Sequence, residues 1–237
     1  PQSAHPRLKL VDFKRPVAVL PNLAIHLNRA MNDGVALNAQ TDLLPICGMD
    51  EHMDTDTFLQ ILANETGEKP EDILCFDLSV YHYAEPVCTG FSGDMFMAPR
   101  IDNISSVQAC LTGLIEANPS DGISVAVLFD HEEIGSRSKN GANGNLLSYT
   151  LERICNALNI SRENFLQSLV HSYYLSLDVA HAIHPAHPEK SDITSAMPLN
   201  RGFAIKASAK HAYCSDDDMT GVILQLAARH HIACQQN

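Results

Sequence analysis

Four consecutive ionisable residues stand at the end of a short, almost wholly apolar run. The run covers residues 123–129 (ISVAVLF), and Asp130, His131, Glu132 and Glu133 follow it directly. Its β-branched residues and the glycine before it favour a strand that is buried on both faces, as in the centre of an α/β sheet. Because open α/β sheets bind ligands at the carboxyl ends of their strands, these four side chains stand where a site is expected.

The two adjacent carboxylates need an explanation in terms of charge. Like charges so close together raise each other's pKa unless a cation offsets them. A bound metal ion would allow Glu133 to act as a ligand while Glu132 remains free as a base. The alternative is a solvated acidic turn, and this stretch by itself does not decide between the two.

Two more carboxylates follow strand-like stretches. Asp102 comes shortly after residues 95–97, and Asp178 comes directly after residues 173–177. One sheet could bring both to the edge that carries the paired glutamates. Carboxylates together with histidine suit Zn²⁺ or similar divalent ions, and a dinuclear centre needs one bridging carboxylate. Each of the two aspartates could instead be only a capping residue.

The segment after the second aspartate is rich in histidine. His181, His184 and His187 recur at every third position, which resembles a metal-ligand spacing. Pro185 and Pro188 exclude a single helix that carries all three. We therefore predict that His184 and His187 are surface residues.

Composition narrows the class of protein. The 237 residues are 45% hydrophobic and 19% charged, which fits one large or two modest soluble domains. The net charge of −12 makes nucleic acid and anionic membrane surfaces poor partners. Seven cysteines occur singly, without a C-x-x-C pair, which is typical of reduced thiols in a cytoplasmic protein. No apolar run is long enough to cross a membrane.

The hydrophobic pattern differs between the two parts of the chain. Residues 1–92 read mostly as strands, at 8–20 and 72–80 among others, whereas residues 93–237 alternate between helix and strand. The Gly-rich stretch 86–94 is the candidate boundary. This predicts an α/β domain with an attached or inserted β-rich domain. Helices are expected at 55–66, from 103 or 105 to 118, and at 146–158, and two more begin at 161 and 216. A short strand is expected at 95–97 and another strand at 202–213.

Several motifs, in one order along essentially the whole chain, resemble the aspartyl aminopeptidase family of dinuclear zinc metallopeptidases. A further segment is similar to one that these enzymes carry in an inserted dimerisation domain. The motifs are PRIDN (99–103), DHEEIGSRSKNGA (130–142), SLDVAHAIHP (176–185), and GFAIK (202–206) with Tyr213; the segment is LPNLAIHLNR (20–29). The resemblance implies a central mixed sheet flanked by helices in residues 93–237, and part of the β-rich dimerisation domain in residues 1–92.

The resemblance also implies a metal centre with two Zn²⁺ ions. Asp102 matches the carboxylate that bridges both ions, Glu133 matches a ligand of one, and Asp178 a ligand of the other. Glu132 matches the general base, which takes a proton from the zinc-activated water that attacks the scissile carbonyl.

Four other residues match positions that contact substrate. His181, Lys206 and Tyr213 do so within one subunit. His26 matches a histidine that reaches a neighbouring subunit's active site; it could instead be a metal ligand or a packed strand histidine.

The preferred substrate sets a separate charge requirement. A pocket for an acidic side chain needs a cation, and Lys206 ends an apolar strand that would hold its stem rigid. Arg201 and Lys210 are the competing cations, and a solvated lysine is the alternative for Lys206 itself.

Two zinc-binding histidines of the family have no counterpart here. One belongs to an N-terminal segment and the other to a stretch near the C-terminus; His5, His230 and His231 lack those contexts. We therefore expect that the chain covers the middle of a longer enzyme. The implied activity is removal of N-terminal Asp or Glu from peptides by a homo-oligomer built from dimers, up to a dodecamer. A related binuclear zinc deacylase or carboxypeptidase, or an inactive assembly subunit, are the alternatives.

Overall fold

The chain divides into two compact units. The computed structural model describes residues 5–50, 52–119, 121–210, 213 and 215–236. One unit is Pro1–Pro99 and the other is Arg100–Asn237. The assignment of residues 1–92 to a dimerisation domain stays a prediction.

The described residues of the first unit form one α-helix, α1 (Thr55–Thr66). It begins where the carboxylate of Asp54 accepts the backbone N–H of Thr57 at 2.8 Å. It ends at Gly67, whose φ of 67° lies in the left-handed region that glycine adopts most readily. The predicted helix at 55–66 is confirmed, with the capping residue one position earlier than Thr55.

Ion pairs hold the N-terminal segment of this unit near the end of α1. Arg7 and Lys9 both pair with Glu68, just beyond the end of α1, and Arg15 pairs with Glu65 in its last turn. The alternate side chains point into solvent, so that Leu8 is 93% exposed. The strands expected at 8–20 are not formed; that stretch has an isolated bridge, between Val19 and Ile46.

A short hairpin closes the first unit. β1 (Val87–Thr89) and β2 (Met95–Met97) pair antiparallel, with Val87 opposite Met97. Between them Gly90 and Gly93 take positive φ values of 91° and 65°, which allow the tight connection. The strand predicted at 95–97 is therefore confirmed.

The described residues of the second unit form four α-helices. They are α2 (Ile101–Glu116), α3 (Leu146–Ala157), α4 (Arg162–Val170) and α5 (Asp217–Arg229). Ser161 and Asp216 cap α4 and α5 through their side-chain oxygens, as the sequence indicates. α3 and α4 pack together, and Arg162 pairs with Glu152 at 3.2 Å across them. Among the described residues, no helix combines the length and the apolar character that crossing a membrane requires.

A small parallel sheet lies in the second unit. β3 (Phe203–Ile205) lies beside β4 (Cys234–Gln236), with Ala204 opposite Gln235. The Gln235 amide donates to the carbonyls of Pro198 and Gly202, at 3.3 and 3.2 Å. A Cβ on Gly202 would lie 1.9 Å from the Ala233 carbonyl oxygen, so only glycine allows this approach.

The central mixed sheet is not formed among the described residues. Their strands make two sheets of two strands each, and the apolar run 122–129 belongs to neither. Ile123, Val125 and Leu128 are about half exposed. A strand that is buried on both faces needs a hydrogen-bonded neighbour on each side, and the described part of the chain provides none for this run.

Among the described residues, few apolar side chains are buried. They are Leu62, Ala63, Phe165, Met197 and Ala227. The accessible surface is 20431 Å², about twice the ~10,000 Å² that a folded protein of this mass exposes. Within each unit, the described residues therefore bury only two or three apolar side chains as a core.

Candidate active site

The paired glutamates lie on a loop closed by backbone hydrogen bonds. His131 has a φ of 60°, and its carbonyl accepts the N–H of Ser136 at 2.8 Å. The carbonyl of Glu132 accepts the N–H of Gly135 at 2.9 Å. The side chains of Glu132 and Glu133 are exposed within this turn. The loop predicted after the apolar run is present, although the run itself is not a strand.

The far side of the loop folds back onto this turn. Asp130 donates its N–H to the carbonyl of Asn140 at 3.1 Å, and Asn143 donates to the carbonyl of Ser136 at 3.2 Å. A Cβ on Gly141 would lie 2.2 Å from the same Ser136 oxygen. A glycine at this position is therefore required for residues 130–144 to close.

A side-chain contact crosses the loop, and no pattern in the sequence indicates it. The Nδ1 atom of His131 lies 2.6 Å from the Oγ of Ser138, which also accepts the N–H of Gly141 at 3.1 Å. On the other side of the ring, Nε2 lies 3.5 Å from a carboxylate oxygen of Asp130. The signal available in the sequence was a serine seven residues after a histidine, which is too common to be informative.

Asp102 lies in the first turn of α2, where its backbone and that of Asn103 depart from helical geometry. Arg100 has a φ of 58°, and the peptide bond between Asp102 and Asn103 is cis. The Asn103 amide donates to the Leu177 carbonyl at 3.1 Å. The residue after Asp102 therefore contacts the residue before Asp178, which places the two predicted ligands on adjoining backbone segments.

Two other predicted site residues, Asp178 and Tyr213, lie near Lys206. Its Nζ lies 3.4 Å from a carboxylate oxygen of Asp178 and 5.6 Å from the ring centre of Tyr213. The Lys206 side chain is 30% exposed, against 52% for Asp178. The Ser215 hydroxyl donates to the Lys206 carbonyl at 2.7 Å and holds the backbone beyond β3.

His26 and His181 are the other predicted substrate contacts. His26 lies in a turn of the first unit, in which Leu27 and Asn28 donate to the Ala24 carbonyl. His181 is exposed three residues after Asp178. His184 and His187 are exposed as predicted, with ring centres 5.1 Å apart.

The acidic residues suit a divalent cation by type. Within the described ranges, no lysine, arginine or histidine forms an ion pair with Asp102, Glu132 or Glu133. Unpaired carboxylates are hard oxygen donors whose charge a metal ion would offset. The described residues contain no group of three or more potential ligands close enough to hold one ion. The donor chemistry thus fits a metal, and the convergence of all three predicted ligands stays a prediction.

Comparison with known proteins identifies the family. The model of the aminopeptidase I zinc metalloproteases (M18) matches residues 3–237. A probable M18 family aminopeptidase 2 of Clostridium novyi (strain NT) is 40% identical over 233 residues, which are 98% of this chain and 54% of that protein. A relative of Pseudomonas savastanoi pv. phaseolicola with the same description is 37% identical over 231 residues, 96% of this chain and 53% of its own.

Solved structures give the same result for the fold. A chain in the cryo-EM structure of the Ape4 and Nbr1 complex has a TM-score of 0.80 and 28% identity, over 95% of this chain and 47% of its own. The mApe1 dodecamer of S. cerevisiae has a TM-score of 0.70 and 23% identity, over 93% of this chain and 51% of its own. An α/β peptidase fold is therefore confirmed at the level of the class. The chain spans about half the length of the relatives that it matches.

The family match covers nearly every residue, and the relatives align with the parts of the chain that carry the acidic loop and the Asp178–Lys206 pair. This confirms the resemblance that the motifs indicate, since M18 is the family of the aspartyl aminopeptidases. The chain belongs to the M18 family of aminopeptidase I zinc metalloproteases.

Proposed function

We propose that the protein is a zinc-dependent aminopeptidase that removes N-terminal aspartate or glutamate from peptides. The observation that supports this most directly is the contact of Lys206 with Asp178, beside Tyr213. It puts a cation suited to an acidic side chain next to a predicted metal ligand. A substrate whose scissile bond lies at the metal would have its N-terminal side chain in this neighbourhood.

Three carboxylates would hold the metal. Asp102 would bridge two Zn²⁺ ions, and Glu133 and Asp178 would each bind one. Zinc held by these residues would supply Lewis-acid chemistry for the attacking water and the scissile carbonyl. Asp102 and Glu133 are available because no cation among the described residues is paired with them. Asp178 would share its charge between the metal and Lys206.

Glu132 would be the general base. Its carboxylate accepts a proton from the attacking water and returns it to the amine that departs when the peptide bond breaks. A base must be free to accept a proton, and within the described part of the chain the Glu132 side chain has no hydrogen-bond donor or cation in contact. Its place beside Glu133, on one closed turn, would keep it next to the metal without making it a ligand.

Lys206 would select acidic substrates. A desolvated substrate carboxylate needs a positive charge, and the site is otherwise rich in acidic groups. Lys206 directly follows β3, its Nζ lies 5.6 Å from the centre of the Tyr213 ring, and its side chain is 30% exposed. His181 and Tyr213 would contact the rest of the substrate. Arg201 and Lys210 are both exposed and have no ion pair within the described residues.

We also propose that the enzyme works as a homo-oligomer. The S. cerevisiae relative with the same fold is described as a dodecamer. Residues 1–92 would form the dimer interface, and His26 would act in the active site of a neighbouring subunit. Sedimentation of the full-length enzyme and of His26→Ala, with activity measured on the same fractions, tests this. A fully active monomer would contradict it.

Lys206→Met tests the specificity. Loss of one partner of a buried charge pair costs ~2–5 kcal/mol, so kcat/KM for an Asp-peptide should fall about 30-fold or more. The rate for a Leu-peptide should change little. The matched control is Lys210→Met, which removes an exposed lysine and should affect neither substrate.

Other results would contradict the proposal. Equal losses on both peptides would show that Lys206 supports the fold or the metal site. Hydrolysis of acylated amino acids or of C-terminal residues by the wild-type enzyme, with no action on Asp-peptides, would identify a deacylase or a carboxypeptidase. Absence of any hydrolysis by the zinc-loaded oligomer would identify an inactive assembly subunit.

A further inference from the structure

We propose that His131 and Ser138 are positioning residues that hold Glu132 and Glu133 in the orientation that catalysis needs. The proposal rests on the proposed function, because it assigns a purpose to the loop that carries the base. Neither residue would touch substrate or metal. They act through the backbone of residues 130–144.

The contact joins the two sides of the loop at one oxygen atom. The Ser138 Oγ lies 2.6 Å from His131 Nδ1 and accepts the N–H of Gly141 at 3.1 Å. Since the Gly141 N–H is a donor, the Ser138 hydroxyl has its own proton available for the ring. The Asp130 carboxylate lies 3.5 Å from Nε2 and can only accept there. The arrangement that satisfies every group has the proton on Nε2 and the Ser138 hydroxyl donating to Nδ1.

The backbone conformation of His131 explains why this contact affects the two glutamates. A φ of 60° is sparsely populated for a residue with a side chain, and such a residue persists only where its surroundings hold it. The hydrogen bond from the Ser136 N–H to the His131 carbonyl fixes one side of the residue, and the ring contact with Ser138 fixes the other. Glu132 follows immediately, so rotation about the His131 backbone would redirect both glutamates.

The opposite side of the loop is closely packed. Gly141 approaches the Ser136 carbonyl so closely that a Cβ would lie 2.2 Å from that oxygen. The Gly141 N–H in turn donates to Ser138 Oγ. The serine hydroxyl therefore connects the closely packed side of the loop to the residue that precedes the base. Loss of this atom would leave the loop closed by its backbone bonds but free to shift at His131.

The test compares three serine variants of the full-length enzyme. Ser138→Ala removes the hydroxyl, Ser138→Thr retains it, and Ser148→Ala removes a hydroxyl that donates to the Asn145 carbonyl in α3, outside this loop. A misplacement of about 1 Å can cost roughly 10²-fold in rate. Ser138→Ala should lower kcat for an Asp-peptide about 10- to 100-fold, with KM, bound zinc and melting temperature nearly unchanged. Ser138→Thr and Ser148→Ala should retain most of the wild-type kcat.

A double-mutant cycle keeps the test from depending on a single variant, and amide hydrogen exchange keeps it from depending on the substrate. His131→Ala and Ser138→Ala should each lower kcat, and the double variant should lose no more than the worse single one, because both remove the same contact. Amide exchange in residues 130–144 should become at least about tenfold faster in Ser138→Ala and stay unchanged in Ser148→Ala.

Three results would overturn the positioning role. They are an unchanged kcat in Ser138→Ala, a loss of zinc and melting temperature in parallel with kcat, and unchanged amide exchange in the loop. Failure of the wild-type enzyme to cleave Asp-peptides contradicts the proposed specificity instead, and the exchange measurement then still decides whether Ser138 holds the loop.

Discussion

Glutamates near the end of α1, in the Pro1–Pro99 unit, are paired with cations from another segment of the same unit. Glu65 pairs with Arg15, and Glu68 pairs with Arg7 and Lys9. The hydrogen bond from Lys9 and the charge of Arg7 lower the pKa of Glu68. These carboxylates have their counter-charges in place, and their effect is to hold the N-terminal segment against the helix.

The predicted site carboxylates of the Arg100–Asn237 unit differ from these glutamates. Asp102, Glu132 and Glu133 have no ion-pair partner in the described residues, and Asp178 pairs with a lysine that is itself a candidate for substrate binding. A side chain whose charge is already matched contributes to structure, whereas an unmatched one is available to a metal, a proton or a substrate.

The largest expected effect tests this distinction at the base. Glu132→Gln is nearly isosteric and removes proton acceptance, so turnover should fall about 10²–10⁴-fold while zinc content and melting temperature persist. The matched change in the other unit, Glu68→Gln, should leave turnover as it is. Steady-state kinetics with metal analysis measures both. Loss of zinc from Glu132→Gln would make Glu132 a ligand and reverse the assignment of the pair.

A second prediction compares glycines of the two units. Gly202 has a φ of 96° and no room for a Cβ beside Ala233, whereas Gly67 has a φ of 67° and open space around it. Gly67→Ala should cost only the left-handed backbone, ~1–2 kcal/mol, and Gly202→Ala should cost clearly more and loosen β3, the strand directly before Lys206. Denaturant unfolding of each variant measures the difference.

Gly221 provides the control for these glycines. It lies inside α5 with no atom within 4 Å of a built Cβ and no positive φ. Gly221→Ala should therefore stabilise the protein, by ~0.4–1 kcal/mol. Equal costs for Gly67→Ala and Gly202→Ala would show that the close approach to Ala233 is not present in solution.

A smaller effect concerns the helix cap of the second unit. Ser161 accepts the N–H of Asn164 at 3.2 Å and begins α4. Ser161→Ala should lower the free energy of unfolding by ~1 kcal/mol. The control is Ser168→Ala, which removes a hydroxyl that donates to the Asn164 carbonyl inside the same helix and should change stability less. Equal losses would assign the effect to the helix in general and not to its cap.

The smallest effect is a difference in acid sensitivity between two caps. Hydrogen bonds from the Thr57 N–H and hydroxyl lower the pKa of Asp54, whereas the Ser161 hydroxyl that caps α4 does not titrate. Because the folded-state pKa is lowered, the Asp54 cap contributes fully above the ordinary aspartate pKa of about 4 and is lost as the pH falls through the lower folded value.

Amide exchange, normalised for its intrinsic pH dependence, measures this difference. Protection at Thr57 should fall below about pH 4, and protection at Asn164 should not follow it in the same range. A parallel fall at both amides would point to unfolding of both units together and would contradict the local explanation.

Local features of the sequence determined the helices and the identity of the family. Asp54, Ser161 and Asp216 cap helices because a side-chain oxygen and the N–H groups two or three residues later belong to one short segment. The motifs around Asp102, Glu132 and Asp178 likewise indicated the family, which the match over residues 3–237 confirms. A cap or a motif of this kind is complete within one short segment and needs no contact with a distant part of the chain.

Only the tertiary structure decided the features that join distant residues. The pairing of Lys206 with Asp178 spans 28 positions, and Gly202 is required because β4 lies against β3 from more than 30 residues away. The apolar run before Asp130 has the pattern of a buried strand, yet it forms none among the described residues. A strand is completed by hydrogen bonds to neighbouring strands, so a pattern within one segment cannot determine whether those neighbours are in place.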